Sequence, residues 1–229
     1  TFTCADMLNE VVYIGTNNSG IVAFTLSNLS NYENIKPDGP EQNNIFRLKK
    51  STTTLWALYG RYNRTYNPYN PPFGLGQFPI SKFNSENGWS IIPYSDLFGA
   101  KSLSNIAFNP SNDNELYVSS YYSGLVKIVN EVPVAIYNAS NTGANGLQTI
   151  PGQVPDDIRI NGPAFDKNGG LWMTNNMIQS PLKAFKNGNQ WVSYDFSDII
   201  PETGSESYAS LVVDKNKMDS YCQKWCCCF

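Results

Sequence analysis

The residues best equipped for recognition chemistry sit together in one stretch, "RYNRTYNPYNPPFGLGQ", from Arg61 to Gln77. Tyr62, Tyr66, Tyr69 and Phe73 carry flat faces that can stack on sugar rings, and Arg61 and Arg64 can pair with phosphate or carboxylate groups. The prolines and glycines exclude a helix interior, and proline cannot donate to a β ladder, so the stretch is a loop. Two uses compete. Tyr62, Arg64, Tyr66, Tyr69 and Phe73 form a ligand platform, or the tyrosines pack on the loop's own prolines and on neighbouring structure as an Ω-like excursion.

Catalytic chemistry is harder to assemble. The chain contains no histidine, which removes Ser-His-Asp and Cys-His catalysis and His-liganded zinc. An enzyme would have to work with carboxylates, Lys or Tyr. Asp156 and Asp157 are the tight acidic pair outside the turns, but adjacent residues on a strand point to opposite faces, so they read as solvated loop residues and not as a facing dyad. "GTNNSG" from Gly15 has the glycine spacing of a phosphate loop without its Lys, and "DKNGG" from Asp166 opens like a calcium loop without the closing acid; both read as turns between strands. Of the five cysteines, Cys4, Cys222, Cys226, Cys227 and Cys228, consecutive residues do not converge on one tetrahedral ion, and an odd total fits no disulfide framework. Asn28, Asn63 and Asn138 open N-x-S/T patterns, which an Asn-rich chain produces by chance. No catalytic residue, metal or cofactor is expected.

The elements that must position the loop follow from composition and periodicity. A chain of 229 residues that is 41% hydrophobic, 14% aromatic and 15% charged folds around a sizeable core. A net charge of -3 argues against nucleic acid as a partner. No run approaches the ~20 apolar residues of a helical membrane span, and "TFTCADMLNEVVYIG" has neither the basic nor the apolar region of a signal peptide.

The dominant pattern is a pair of short apolar strands joined by a Gly or Asn turn: "VVYIGTNNSGIVAF" from Val11, "LWALYGRYN…LGQFPISKF" from Leu55, "LYVSSYYSGLVKIV" from Leu116 and "LWMTNNMIQSPLKAF" from Leu171. Tyr13, Trp56, Tyr117 and Trp172 occupy one place in the pattern, about 43, 61 and 55 residues apart. With a strand ahead of three pairs and one behind each, the unit is four-stranded. Such units cannot bury both faces alone and stack radially, so the fold expected is all-β, a β-propeller of about four four-stranded blades. Trp56, Trp89, Trp172 and Trp191 fall in its packing layers.

The expected bounds are a partial blade over about 8–42 that lacks its opening strand, blades at 43–102, 103–156 and 157–207, and the start of another at 208–216. Either that last strand closes a four-bladed ring or the chain is an arc of a larger, seven-bladed one. After "VVDKN" the chain reads "KMDSYCQKWCCCF", where the repeat requires Gly, an apolar residue and Trp. This favours the arc, with 217–229 a Cys-rich tail outside the propeller and foreign to it. The loop at 61–77 then joins the two middle strands of the second blade at one rim.

The strings "IGTNNSGIVAF", "LWALYGRYNRTYNPYN", "YSDLFGAKSLSNIAFNP", "ELYVSSYYSGLVKI" and "AFDKNGGLWMTNN", within Val11 to Asn216, resemble the two-component-regulator type of propeller repeat. Within it they resemble the PorZ-type propellers of the Bacteroidetes type IX secretion system. The resemblance implies a secreted, surface-exposed, non-enzymatic accessory protein of an attachment complex. Its partners would be other secretion-system surface proteins and anionic lipopolysaccharide or oligosaccharide, at the extracellular face of the outer membrane. Such proteins carry two seven-bladed propellers and a C-terminal sorting-type domain, of which the likeness covers part of one propeller. The alternative is the periplasmic ligand-sensing propeller of a hybrid two-component regulator; a propeller polysaccharide lyase or glycosidase is a third reading that lacks a constellation of acids.

Overall fold

The computed structural model describes residues 1–17, 20–36, 38–69, 74–153, 157–186, 189–200, 202–213 and 218–221. It is all-β, with 3₁₀ turns at Tyr94–Asp96 and Thr203–Ser205 as its only helical pieces among these residues. No helix among them is long and apolar enough to cross a membrane. The chain divides into two compact units, residues 1–39 and 40–229.

The first unit is one antiparallel sheet in the order β1 (Phe2–Leu8), β2 (Val11–Thr16), β3 (Ile21–Thr25), β4 (Asn28–Ile35). The expected missing strand is therefore present, and the blade starts before residue 8. Asn9 and Glu10 both have positive φ, 50° and 65°, which closes a two-residue hairpin whose twist matches the strands. Asn-Glu lacks the glycine that flags such turns, so the pattern hid it. "GTNNSG" is the turn between β2 and β3, closed by the Thr16 amide donating to the Gly20 carbonyl (2.9 Å); residues 18–19 lie outside those described.

The second unit stacks three four-stranded blades. They are β5 (Arg47–Lys50) to β8 (Gly88–Ile92), through β6 (Thr54–Leu58) and β7 (Ile80–Asn84); β9 (Leu103–Phe108), β10 (Glu115–Tyr122), β11 (Gly124–Val129) and β12 (Val132–Tyr137); and β13 (Ile158–Phe165), β14 (Leu171–Asn175), β15 (Leu182–Lys186) and β16 (Gln190–Tyr194). A pair, β17 (Ser210–Val213) and β18 (Met218–Tyr221), begins the next. Residues 218–221 were expected outside the propeller; they pair back on β17, and the cysteines that follow lie outside the described residues.

The apolar period explains the stacking. Alternate residues of a strand face opposite sides, and β10 is apolar on both. Leu116 and Val118 join Trp56, Leu58, Ile80, Val126 and Ile128 in one buried layer, while Tyr117 joins Leu125, Ile160, Leu171, Met173, Phe185 and Trp191 in the next. Each fully buried Leu, Ile or Met contributes about 1.5–3 kcal/mol, so the blade interfaces dominate stability. Of the repeat aromatics, Trp56 and Tyr117 lie in these layers while Trp172 is only partly buried outside them, and all three carry an ammonium: Lys82 over Trp56 at 5.8 Å, Lys127 over Tyr117 at 5.6 Å, Lys186 over Trp172 at 5.8 Å. "DKNGG" is the β13–β14 turn, in which both Asp166 oxygens accept bonds, from Asn168 and Gly170 amides and from Trp172 Nε1.

Antiparallel order sends the β6–β7, β10–β11 and β14–β15 links and all blade-to-blade links to one end, and the remaining turns to the other. The long connections, 59–79, 93–102, 138–157 and 195–209, thus crowd one end. Gly60 opens the first of them with its backbone so close to β9 that a Cβ would collide with the Leu103 N and O atoms.

Lys183, fully buried on β15, ties the 138–157 connection down: Nζ donates to Gln148 Oε1 (2.8 Å) and Ser193 Oγ (2.6 Å), and Ser193 Oγ donates to the Asn145 carbonyl (2.9 Å). Burial lowers its pKa to about 8. Unfolded, the amine titrates near ~10.4, so between the two values the unfolded chain holds a proton the folded chain has released, and stability rises with pH. Urea denaturation is expected to show a gain of roughly 1 kcal/mol from about pH 8 to about pH 9, below the ~10 at which tyrosines of the unfolded chain ionise. Lys183→Met should flatten that rise; a flat profile in the parent chain would contradict the assignment.

Candidate binding face

The loop after β6 is organised by its asparagines. Asn63 Oδ1 accepts the Thr65 and Asn67 amides (2.9 and 3.0 Å) and the Thr65 hydroxyl (2.7 Å), and Asn67 Oδ1 accepts the Tyr69 amide (2.9 Å). These are Asx turns, side chains standing in for backbone partners. They hold Tyr66 at φ +55° and leave the Asn63–Thr65 tip in solvent.

So ordered, the loop reaches across the middle blade to the one beyond. The Tyr62 ring lies 4.4 Å from Tyr121 and 5.1 Å from both Tyr66 and Phe46, centroid to centroid. Its hydroxyl accepts from Asn161 Nδ2 on β13 at 2.9 Å. Tyr69 meets Tyr122 edge-on at 5.7 Å and donates its hydroxyl to Asp157 Oδ2 at 3.0 Å. Burial, Tyr122 and the Asp157 charge all hold that phenol above its ordinary pKa.

The centre of the arrangement is an ion pair. Arg159 grips Asp157 through Nε to Oδ1 (3.0 Å) and Nη2 to Oδ2 (3.1 Å), and its Nη1 donates to the Tyr66 carbonyl (3.4 Å). Its guanidinium also lies 5.8 Å from the Tyr121 ring centre and 6.0 Å from that of Tyr69. Asp157 is 0% exposed and Arg159 9%, which corrects the expectation of a solvated acid; Asp156 lies outside the described residues. Residues two apart on a strand share a face, so the pairing was open to a reading of "DIR" that the search for facing carboxylates passed over.

Two buried asparagines complete the network. Asn176 Nδ2 donates to the Tyr121 hydroxyl (2.8 Å) and the Tyr208 carbonyl (3.1 Å), its amide to the Arg159 carbonyl (2.8 Å); Asn161 Nδ2 also reaches the Tyr208 carbonyl (3.2 Å). Burial raises the Tyr121 phenol to about 12. The network therefore ties residues of three blades and the approach to β17. Tyr121, Tyr122, Arg159, Asn161 and Asn176 escaped the sequence reading, although an Arg within the apolar run "IRI" and the doubled "NN" after "LWMT" were signals of buried polar work.

The predicted site residues accordingly separate. Tyr62 and Tyr66 are half-buried in the ring stack, Arg64 is exposed at the tip, and Tyr69 is 37% exposed at the rim of the ion pair. Phe73 lies outside the described residues. Arg64 and Tyr69 are what the loop offers to a partner.

No protein-family model and no curated protein matches the chain. Among solved structures it is similar to PorZ, an essential surface component of the type IX secretion system of Porphyromonas gingivalis, with a TM-score of 0.69 and 19% identity over 91% of this chain and 27% of that one. It is also similar to the extracellular domain of BT4673 of B. thetaiotaomicron, described as a one-component system, with a TM-score of 0.53 and 15% identity over 94% and 24%. The chain thus spans about a quarter of the length of each. At these identities the likeness is one of fold: the chain is a partial β-propeller.

Removing one member of a buried ion pair strands the other. Asp157→Asn is expected to cost about 3 kcal/mol in urea denaturation. In Asp157→Asn/Arg159→Met most of that loss should return, a coupling of about 2 kcal/mol. Additive losses would show that the two groups do not act together.

Proposed function

We propose that the chain is a non-enzymatic propeller module of a surface-exposed secretion accessory protein resembling PorZ, acting through protein or glycan contacts at its long-loop end. The observation that carries this reading is the β6–β7 loop: its inner tyrosines are committed to the blades while Arg64 and Tyr69 face solvent. A cation and a phenol ring on a loop segment anchored to the blades suit an anionic, sugar-bearing ligand, because the anchored backbone has less freedom to lose on binding. The likeness to PorZ supports a place at the extracellular face of the outer membrane, among other secretion-system surface proteins and anionic lipopolysaccharide.

Catalysis finds little support at this end. Asp157 has both oxygens bound to Arg159 and Tyr69, so it is neither a free base nor one of two facing acids. The second reading, a periplasmic propeller that senses an oligosaccharide for a two-component regulator, draws on the likeness to the BT4673 extracellular domain.

Biolayer interferometry of the chain against purified anionic lipopolysaccharide tests the first reading. Saturable binding that weakens with salt is expected, and Arg64→Glu should reduce affinity about tenfold. Equal affinity of parent and variant would remove the loop from the account, and binding confined to neutral oligosaccharides would favour the sensor.

A further inference from the structure

Beside the tyrosine network, on the same end, lies a depression of about 350 Å³. It is lined by Phe98 and Gly99, in the link from β8 to β9, by Ser123, Ile136 and Ile158, and by Asn138 at the start of the next connection. No ionisable side chain lines it. Its volume is at the small end for ligand sites, enough for one ring of sugar size and not for an extended chain.

The polar groups here are preset. Asn138 Oδ1 accepts the Ser140 amide (2.9 Å) and hydroxyl (2.6 Å), which fixes the orientation of the amide group. Its Nδ2 is left as a donor with no partner among the described residues. Asn138 is held in turn by Asn141, whose Oδ1 accepts the Asn138 amide (2.9 Å) and whose Nδ2 donates to the Ile136 carbonyl (2.8 Å). Ser123 Oγ accepts the Lys101 amide (3.1 Å), so its own proton remains to be given.

Phe98 supplies the third element. Leu97 before it is fully buried, while Phe98 is 49% exposed with φ +55°, followed by Gly99 at φ +72°. A bulky residue rarely holds that backbone region, and such strain persists where an outward side chain has a use. The result is an aromatic face, an apolar base and two hydroxyl-seeking donors, with no charge.

We propose that this cavity binds one neutral pyranose ring. The ring's apolar face lies against Ile136 and Ile158, its edge against Phe98, and its hydroxyl oxygens accept from Asn138 Nδ2 and Ser123 Oγ. The inference rests on the reading of the chain as a binding module and adds a ligand class at a place distinct from the β6–β7 loop.

Saturation-transfer NMR with methyl α-D-glucopyranoside, methyl α-D-mannopyranoside and methyl β-D-galactopyranoside tests it. At least one is expected to bind with a Kd of about 1–10 mM. Asn138→Asp keeps the acceptor for Ser140 and deletes the donor, and should weaken binding about fivefold. Phe98→Gly should abolish binding while its melting temperature holds or rises, because glycine accepts the backbone angle. Absence of transfer from all three glycosides, or variants that bind as the parent does, overturns the proposal. If lipopolysaccharide binds and no glycoside does, only the cavity fails; if a glycoside binds here and lipopolysaccharide does not, the surface-protein reading fails and the cavity stands.

Discussion

The arrangement depends on where β10 goes at its end. Through Ser120 it pairs with β9 inside its own blade, the register passing over Ser104 of β9; beyond that, Tyr121 and Tyr122 pair with Arg159 and Ile158 of β13 in the next blade. The change of partner is held by Ser120, whose Oγ accepts the Tyr122 and Ser123 amides (3.1 and 2.6 Å) and donates to the Lys101 carbonyl. The continuation of β10 carries two tyrosines out of one blade and sets them beside the Arg159–Asp157 pair of another, where the β6–β7 loop packs on them.

The consequence is a division of labour between apolar and polar packing. Leucine, isoleucine and valine layers hold the blades face to face through non-directional burial. The buried ion pair and the amide–carbonyl bonds to Tyr208 are directional, so they fix how the blades are set at the long-loop end. Such a network specifies geometry through the members that are paired; Asn176 Oδ1 has no partner among the described residues. The network explains how Tyr62, Tyr66 and Tyr69 of the asparagine-rich loop are held against the blades.

The blades were legible because their signals are local and repeated: strand alternation, turn residues, and an aromatic at one place in each unit. The loop's position between β6 and β7 followed from the same repeat. The opening strand was lost because an Asn-Glu turn carries no glycine, although its backbone takes positive φ at both residues. For Asp157 and Asn176 the local strings hinted at buried polar residues but not at their partners, Tyr69, Tyr121 and Tyr208, which lie 32 to 88 positions away. Local pattern records which residues alternate, not which polar groups meet across blades.

The central claim is that the long-loop end is one cooperative unit with the blades beneath it, and native-state hydrogen exchange tests it most directly. The Ser102 amide donates to the Gly76 carbonyl (2.7 Å), Tyr121 to Ser102 (2.9 Å) and Asn176 to Arg159 (2.8 Å). If the account holds, these three amides open only with the blade core and exchange at the rate of Val118, within β10. Exchange of Ser102, Tyr121 and Asn176 much faster than Val118 would show that the loops open independently, and would contradict it.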